Sequence, residues 1–458
     1  MRAAARSARS VGSVAVALVA FASAVAPAAS AFAQDVNIPF TKSVLPNGMV
    51  VILSEDHAVP QVAVNVSYSV GSRMERPGRT GFAHLFEHLM FMGTERAPTK
   101  AFDAWMEGAG GTNNAWTAED RTDYFDIAPS TALPLLLWLE ADRQRSLGPL
   151  IDKAKLDLQR DVVRNERRQS IENRPYGVEE LVLPGLLWPA EHPYSHPVIG
   201  SHEDLEAASV PDVKEFFATW YDPANASLVV AGDFDPVQTR AAIERLFGSA
   251  PSRGKPADPR TTFSDEKSTL TTPVRKTVED NVELTKITLA WQSPHHFGPG
   301  DAELDLLASV LAQGKASRLY KALVYDQKIA QEVSATQESR VLGSQFVVDA
   351  LVRPGVDPAK VEKAIWAELA KVRDKEVSSE ELERARNGYE MDFVDRLQGV
   401  PGRASLLNMY QAEVGDAGYA QRDLDRYRAA KAGDLLSYAK KVLSPDAVVV
   451  LTIVPRKN

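Results

Sequence analysis

The sequence predicts an α+β protein of two homologous domains, each a mostly antiparallel sheet with helices packed on one side. Three observations carry this. At 458 residues the chain is too long for one ordinary core. Short β-branched runs alternate with longer stretches whose apolar residues recur every three or four positions. The order of those runs in the first half then repeats in the second, the mark of a duplicated unit.

Residues 1–33 read as an export signal: Arg2, Arg6 and Arg9, then an apolar run of small residues, then Ala31-Phe32-Ala33 before an expected cut. The first domain is expected over 34–247. "MVVILSED" and "QVAVNVSYSV" read as strands, and Gly71 ends the second. "GFAHLFEHLMF" reads as a helix, as do "TALPLLLWLEADRQRS" and "IDKAKLDLQRDVVRNERRQSIENR", the latter stopping before Pro175. "DVKEFFATWY" adds a shorter helix and "ASLVVAGDF" a buried closing strand. Residues 248–273, rich in Pro, Ser, Thr and Gly, read as a linker. The second domain, 274–458, repeats the scheme without a metal site: strand "ELTKITLAWQS", helix "DAELDLLASVLAQG", long helices "VEKAIWAELAKVR" and "SSEELERARNGYEMDFVDRL", and a final helix, turn and strand.

Composition narrows the function classes. Charged residues make up 25% and hydrophobic ones 44%, a soluble globular balance. The net charge is −9, and removing the leader takes away three arginines and no acid. Nucleic acid is therefore a poor partner. No later stretch is long and apolar enough to span a bilayer, so no membrane anchor is expected. There is no cysteine, so an exported chain must rest on its core rather than on disulfides. A periplasmic or secreted protein is the expectation.

The chemistry centres on "HLFEH". In a helix, His84, Glu87 and His88 share one face. Two imidazoles at i and i+4 can hold one zinc ion, and the glutamate between them is placed to reach water beside the metal. The bland alternative is a helix with two polar histidines facing solvent. The bulky neighbours Phe82, Leu85, Phe86, Leu89 and Phe91 argue against it, because polar groups in such a helix are costly to bury without a partner. A third ligand is needed. Glu166, just after the apolar pair Val162 and Val163, is the candidate; a solvated glutamate among arginines is the other reading.

These stretches resemble the pitrilysin/insulinase family of zinc peptidases, which includes the mitochondrial processing peptidase, over nearly the whole chain after the leader. "GFAHLFEHLMFMGT" resembles the zinc helix, "GGTNNAWTAEDRTDY" the substrate-pairing edge strand and "VVRNERRQSIENRPYG" the helix of the third ligand. "HPYSHPVIG" and "YDPANASLVVAGDFDP" resemble structural signatures. The resemblance implies a half-clamshell fold and one Zn2+ per chain on His84, His88 and Glu166. It implies Glu87 as general base, with Asn114, Ala115 and the adjoining Trp116 meeting an extended peptide substrate. The implied reaction is metal-assisted peptide hydrolysis.

Two departures stand out. A second glutamate, common in the family two helical turns before the ligand, is here Gln159. An Arg and a Tyr seven positions apart, which in the family help bind substrate, fall on Val324 and Gln331 in "SRLYKALVYDQKIAQEV". Neither replacement donates a charge-assisted bond. The expectation is a zinc subunit whose homologous partner supplies the Arg/Tyr pair, in a heterodimer rather than a homodimer. The alternative is a non-catalytic assembly or peptide-binding subunit of the same fold. Elsewhere, His192 and His196 are expected to order a loop of the first domain, a second metal site being the other reading, and His295 and His296 are expected to be solvated. His57 receives no role. Arg164, Arg167 and Arg168 are expected on the outer helix face or against acids.

Overall fold

The computed structural model describes residues 35–258 and 269–456. The expected leader lies outside the described residues, as does 259–268 of the expected linker. The first half begins with strands β1 (Thr41–Val44), β2 (Val50–Glu55) and β3 (Gln61–Tyr68) and helices α1 (Phe82–Leu89) and α2 (Ala101–Gly108). Strands β4 (Thr112–Thr117) and β5 (Thr122–Pro129) come after them. Next come α3 (Leu133–Leu150), α4 (Lys153–Glu166), α5 (Val178–Leu187), α6 (His202–Ala207) and α7 (Val210–Trp220). Strand β6 (Ala226–Gly232) and helix α8 (Pro236–Phe247) complete it.

The second half opens with β7 (Val274–Asp280), β8 (Lys286–Ser293), α9 (Asp301–Ala312), β9 (Ala330–Glu338) and β10 (Ser344–Val352). It continues through α10 (Pro358–Asp374), α11 (Ser379–Gln398), α12 (Val400–Val414), α13 (Ala420–Ala429) and α14 (Ala432–Val442) to β11 (Val449–Pro455).

The sheets are ordered β1-β2-β6-β3-β5-β4 and β7-β11-β8-β10-β9. Each has one parallel pair, β2 with β6 and β11 with β7, and is otherwise antiparallel. From β2 and β7 onward the two orders match element for element. The edge strand beside the first helix is β4 in one sheet and β9 in the other.

Strand periodicity assigns the faces. Val62, Val64, Val66 and Tyr68 of β3 enter the first core with Leu85 and Phe86 of α1 and Leu136 of α3. The alternate residues Asn65 and Ser67 face the other way, toward a helix from the second half. Asn408 of α12, fully buried, donates to the Asn65 backbone carbonyl at 3.0 Å and accepts from Ser227 Oγ at 2.5 Å. The exchange is reciprocal. Leu183 and Leu187 of α5 pack on Ala290, Val449 and Leu451 of the second sheet. Each sheet thus carries its own half's helices on one face and a helix from the other half on the opposite face, which periodicity within one half does not reveal.

The long helix expected through residue 174 is α-helical only to Glu166 and continues over Arg167–Glu172 as a wider π-turn. A second π-turn, Tyr320–Asp326, stands in the "SRL" segment. Such turns add a residue without breaking the helix and rotate the residues beyond them.

Candidate metal centre

The helix bearing the histidines starts at Gly81, whose φ of 86° suits glycine. Space also demands it: a Cβ there would lie 2.7 Å from the Ile199 carbonyl oxygen, and one on Gly200 would lie 2.4 Å from the Gly81 Cα. The "HPVIG" loop thus closes against the helix start. Glu75, its side chain wholly buried, accepts the backbone N–H of Gly81 at 2.9 Å and of Ala83 at 2.7 Å. A carboxylate at this end satisfies orphan donors and complements the helix dipole. Phe82, Leu85, Phe86 and Leu89 anchor the opposite face, each contributing about 1.5–3 kcal/mol by burial.

On the remaining face, His84 Nε2 and His88 Nε2 lie 3.3 Å apart. Glu166, from the end of α4, brings one carboxylate oxygen to 3.1 Å from His88 Nε2 and the other to 3.7 Å from His84 Nε2. Two donors each about 2.1 Å from a tetrahedral ion are about 3.4 Å apart, so this spacing fits one zinc. The set of two imidazoles and one carboxylate is one that catalytic zinc uses. Among the described residues it is the one group of three or more His, Cys, Asp or Glu gathered this closely. Burial, then the neighbouring His88, pushes His84 down to about 4, so its ring is neutral and a lone pair is free at neutral pH. The hydrogen bond from His88, outweighing burial that acts the other way, holds Glu166 below the ordinary carboxylate range.

Glu87 sits beside this triad and outside it. Burial raises its carboxyl above the usual range, opposed by a 2.5 Å hydrogen bond from Thr117 Oγ1 to its Oε2. Thr117 ends β4, the sheet edge. Asn113, Ala115 and Thr117 alternate toward α1, while Asn114 and Trp116 face the other side. The Ala115 N–H is taken by Asn114 Oδ1 at 2.9 Å, so it points off the edge rather than into the β5 ladder. Trp116 stacks under the Arg121 guanidinium, 4.7 Å away, and lines a cavity of about 280 Å3 with Phe125, Ile127, Pro401 and Ala404. Trp116, one residue on, turns its backbone toward its β5 partner Asp123, and its side chain is turned away from the histidines.

The turn after Thr117 is fixed from both halves. Ala118 and Glu119 carbonyls accept from Ser72 and Arg73. Asp120 receives the Tyr194 hydroxyl at 2.6 Å, the Val341 N–H at 3.0 Å and the Arg73 guanidinium at 3.1 Å. Tyr194 in turn accepts from the Leu342 N–H at 2.9 Å. Sequence reasoning passed over Thr117 and Glu75. Strand alternation counted from Ala115 is the signal that places Thr117 on the helix face; nothing local marks Glu75.

The remaining histidines and arginines singled out in the sequence have separate surroundings. His192 is buried and stacked on Trp188, 4.1 Å between ring centres, in the loop beside Tyr194. His196 lies 3.7 Å from Glu75. His295 is exposed, but His296 corrects the expectation of solvation: it stacks on Phe297 and bonds Glu413 at 2.6 Å. Burial opposes its charge, yet the carboxylate wins and raises its pKa. His57 is exposed between Glu55 and Asp233. Arg164 and Arg167 reach Glu206 and Glu172, and Arg168 bonds Asn165. Gln159 contacts the Met92 sulfur at 2.7 Å. Val324 is buried in the second core and Gln331 is exposed on β9.

Comparison with known proteins decides the family. Residues 50–187 match "Insulinase (Peptidase family M16)" and residues 207–389 match "Peptidase M16 inactive domain". The chain belongs to peptidase family M16. Within it, the zinc protease PqqE of Helicobacter pylori is 29% identical over 403 residues, covering 87% of this chain and 88% of that one. An uncharacterized zinc protease of Mycobacterium leprae is 27% identical over 334 residues, covering 72% and 73%. A probable mitochondrial-processing peptidase subunit beta of Arabidopsis thaliana is 24% identical over 272 residues, covering 58% and 49%. The crystal structure of a Helicobacter pylori protease superposes with a TM-score of 0.85 at 25% identity, over 92% of this chain and all of that one. A Pseudomonas fluorescens M16 inactive-domain structure superposes at 0.79 with 16% identity, covering 92% and 98%, and speaks to the fold alone. In this M16 chain the helix of the histidines falls inside the insulinase match, and α9 inside the inactive-domain match.

Proposed function

We propose that this M16 chain is a zinc metalloendopeptidase that hydrolyses peptides or unfolded polypeptide segments outside the cytoplasm. The observation that carries the reading is the convergence of His84, His88 and Glu166, with Glu87 beside them and an open sheet edge next to Glu87. His84, His88 and Glu166 would hold one zinc ion. Bound zinc supplies Lewis acidity, polarising a scissile carbonyl and making water nucleophilic at neutral pH. Strand β4 receives an extended peptide through main-chain bonds, the Ala115 N–H among them once the peptide carbonyl displaces Asn114 Oδ1 from it. Glu87 takes the proton of the attacking water and returns it to the departing amine.

The chain acts as the zinc subunit of a heteromer. Val324 and Gln331, where the family's Arg and Tyr are expected, support a homologous partner that supplies them. The Arabidopsis relative is itself named as a subunit of a processing peptidase. The arginine-rich start and Ala31-Phe32-Ala33 support export to the periplasm or beyond.

The test is cleavage of a mixed peptide library by the zinc-loaded chain, with Glu87→Gln as control. Cleavage lost in the control is the expected result for the site. Cleavage by the lone wild-type chain at full rate would remove the need for a partner. Failure to bind one equivalent of zinc would favour the alternative, a non-catalytic peptide-binding subunit.

A further inference from the structure

We propose that Thr117 is a positioning residue for Glu87, so that the strand which receives the peptide also sets the general base. The inference rests on the peptidase reading above. Its ground is a hydrogen-bond chain that gives the Thr117 hydroxyl one direction. Thr122, fully buried opposite Thr117 in the β4–β5 register, sends its hydroxyl hydrogen to the Val70 carbonyl at 2.8 Å. The Thr122 and Thr117 oxygens are 3.3 Å apart, a longer contact. The Glu87 carboxylate oxygen Oε2, at 2.5 Å the nearer and stronger acceptor, takes the Thr117 proton. One carboxylate oxygen of Glu87 is fixed, and its partner oxygen is left for the water proton.

The platform for this hydroxyl is rigid. Gly71 packs so closely on the turn that a Cβ would lie 2.2 Å from the Ala118 carbonyl oxygen. Asp120, three residues past Thr117, is held by Arg73, Tyr194 and Val341, hence by both halves of the molecule. A peptide docked on β4 therefore meets a strand whose last side chain cannot drift from Glu87. The gain is pre-organisation: a base displaced by about 1 Å costs on the order of 100-fold in rate.

The experiment compares zinc-loaded full-length Thr117→Val, which keeps the shape and removes the hydroxyl, with Thr117→Ser, which keeps the hydroxyl. Thr117→Val is expected to lower kcat about 10- to 100-fold with KM within about twofold and zinc stoichiometry unchanged. Thr117→Ser is expected to return to within about threefold of wild type. An unchanged kcat in Thr117→Val, a parallel loss of zinc, or a serine variant as poor as the valine one overturns the proposal. Crystal structures of zinc-loaded wild type and Thr117→Val give a readout that needs no turnover. The Glu87 carboxylate should leave its position in the variant, and an unmoved carboxylate also overturns it. Glu87→Gln separates the two ideas: if that variant still cleaves, the peptidase reading fails, whatever Thr117 does.

Discussion

The two halves present the same cleft twice, and one is furnished for chemistry. In the first, β4 sets Ala115 and Thr117 opposite Tyr124 and Thr122. In the second, β9 sets Ala335 and Gln337 opposite Val348 and Phe346, the same register. Beside β4, α1 offers His84, Glu87 and His88. Beside β9, α9 offers Asp305, Ala308 and Ser309 at identical spacing, lining a cavity of about 340 Å3. Asp305 meets the Tyr427 hydroxyl at 3.0 Å, and burial lifts its pKa to about 6. Gln337 turns to Ser293 and Asp301 where Thr117 turns to Glu87. The scaffold is common to both halves; the candidate metal ligands are a few side chains placed on it in the first half.

The largest test of this contrast is Glu87→Gln against Asp305→Asn. The first should reduce cleavage by about 10³-fold or more while keeping zinc, and the second should leave turnover nearly unchanged. A comparable loss from both would mean the second cleft shares in catalysis. Next, Glu166→Ala should weaken zinc affinity by about 10²-fold or more in a competition titration with a chelator, since two imidazoles alone leave the ion under-ligated. Asp305→Ala should not change that titration.

A third test addresses what joins the halves. Asn408→Ala leaves Asn65 and Ser227 with buried unmet partners and should cost about 2–3 kcal/mol in urea unfolding. A neutral result would mean that α12 is held by packing alone. The smallest effect is expected at Arg318, which binds Glu381 through two 2.7 Å contacts and holds that carboxyl at about 2. A depressed acid stabilises the fold above its unfolded pKa of about 4.5, and the benefit fades as pH falls toward 2. Arg318→Ala should thus cost about 1 kcal/mol at pH 7, given solvent screening, and progressively less below pH 4.5.

Much of this was legible in the sequence because it is local. The i, i+4 histidines, the glycine before them and the strand-like run around Asn114 each announce themselves within a dozen residues. Glu166 was legible as a candidate through the apolar Val163 beside it, which is fully buried. The features that stayed hidden depend on distant pairings. Asn408 in α12 looks like an ordinary helical asparagine, yet it meets a strand from the other half. Glu75 is one acid among many until Gly81 is folded onto it. His296 comes after an exposed histidine and precedes Phe297, and only Glu413 explains its burial.

The traded helices also set the order of events as the chain is made. The first sheet closes when β6 has emerged, but its Asn65 and Ser227 face stays bare until residues 400–414 arrive. The half that carries the histidines cannot be finished as an independent unit during synthesis. Its completion waits on α12, so a product truncated before residue 400 keeps His84, His88 and Glu166 yet lacks the helix that covers the sheet behind them.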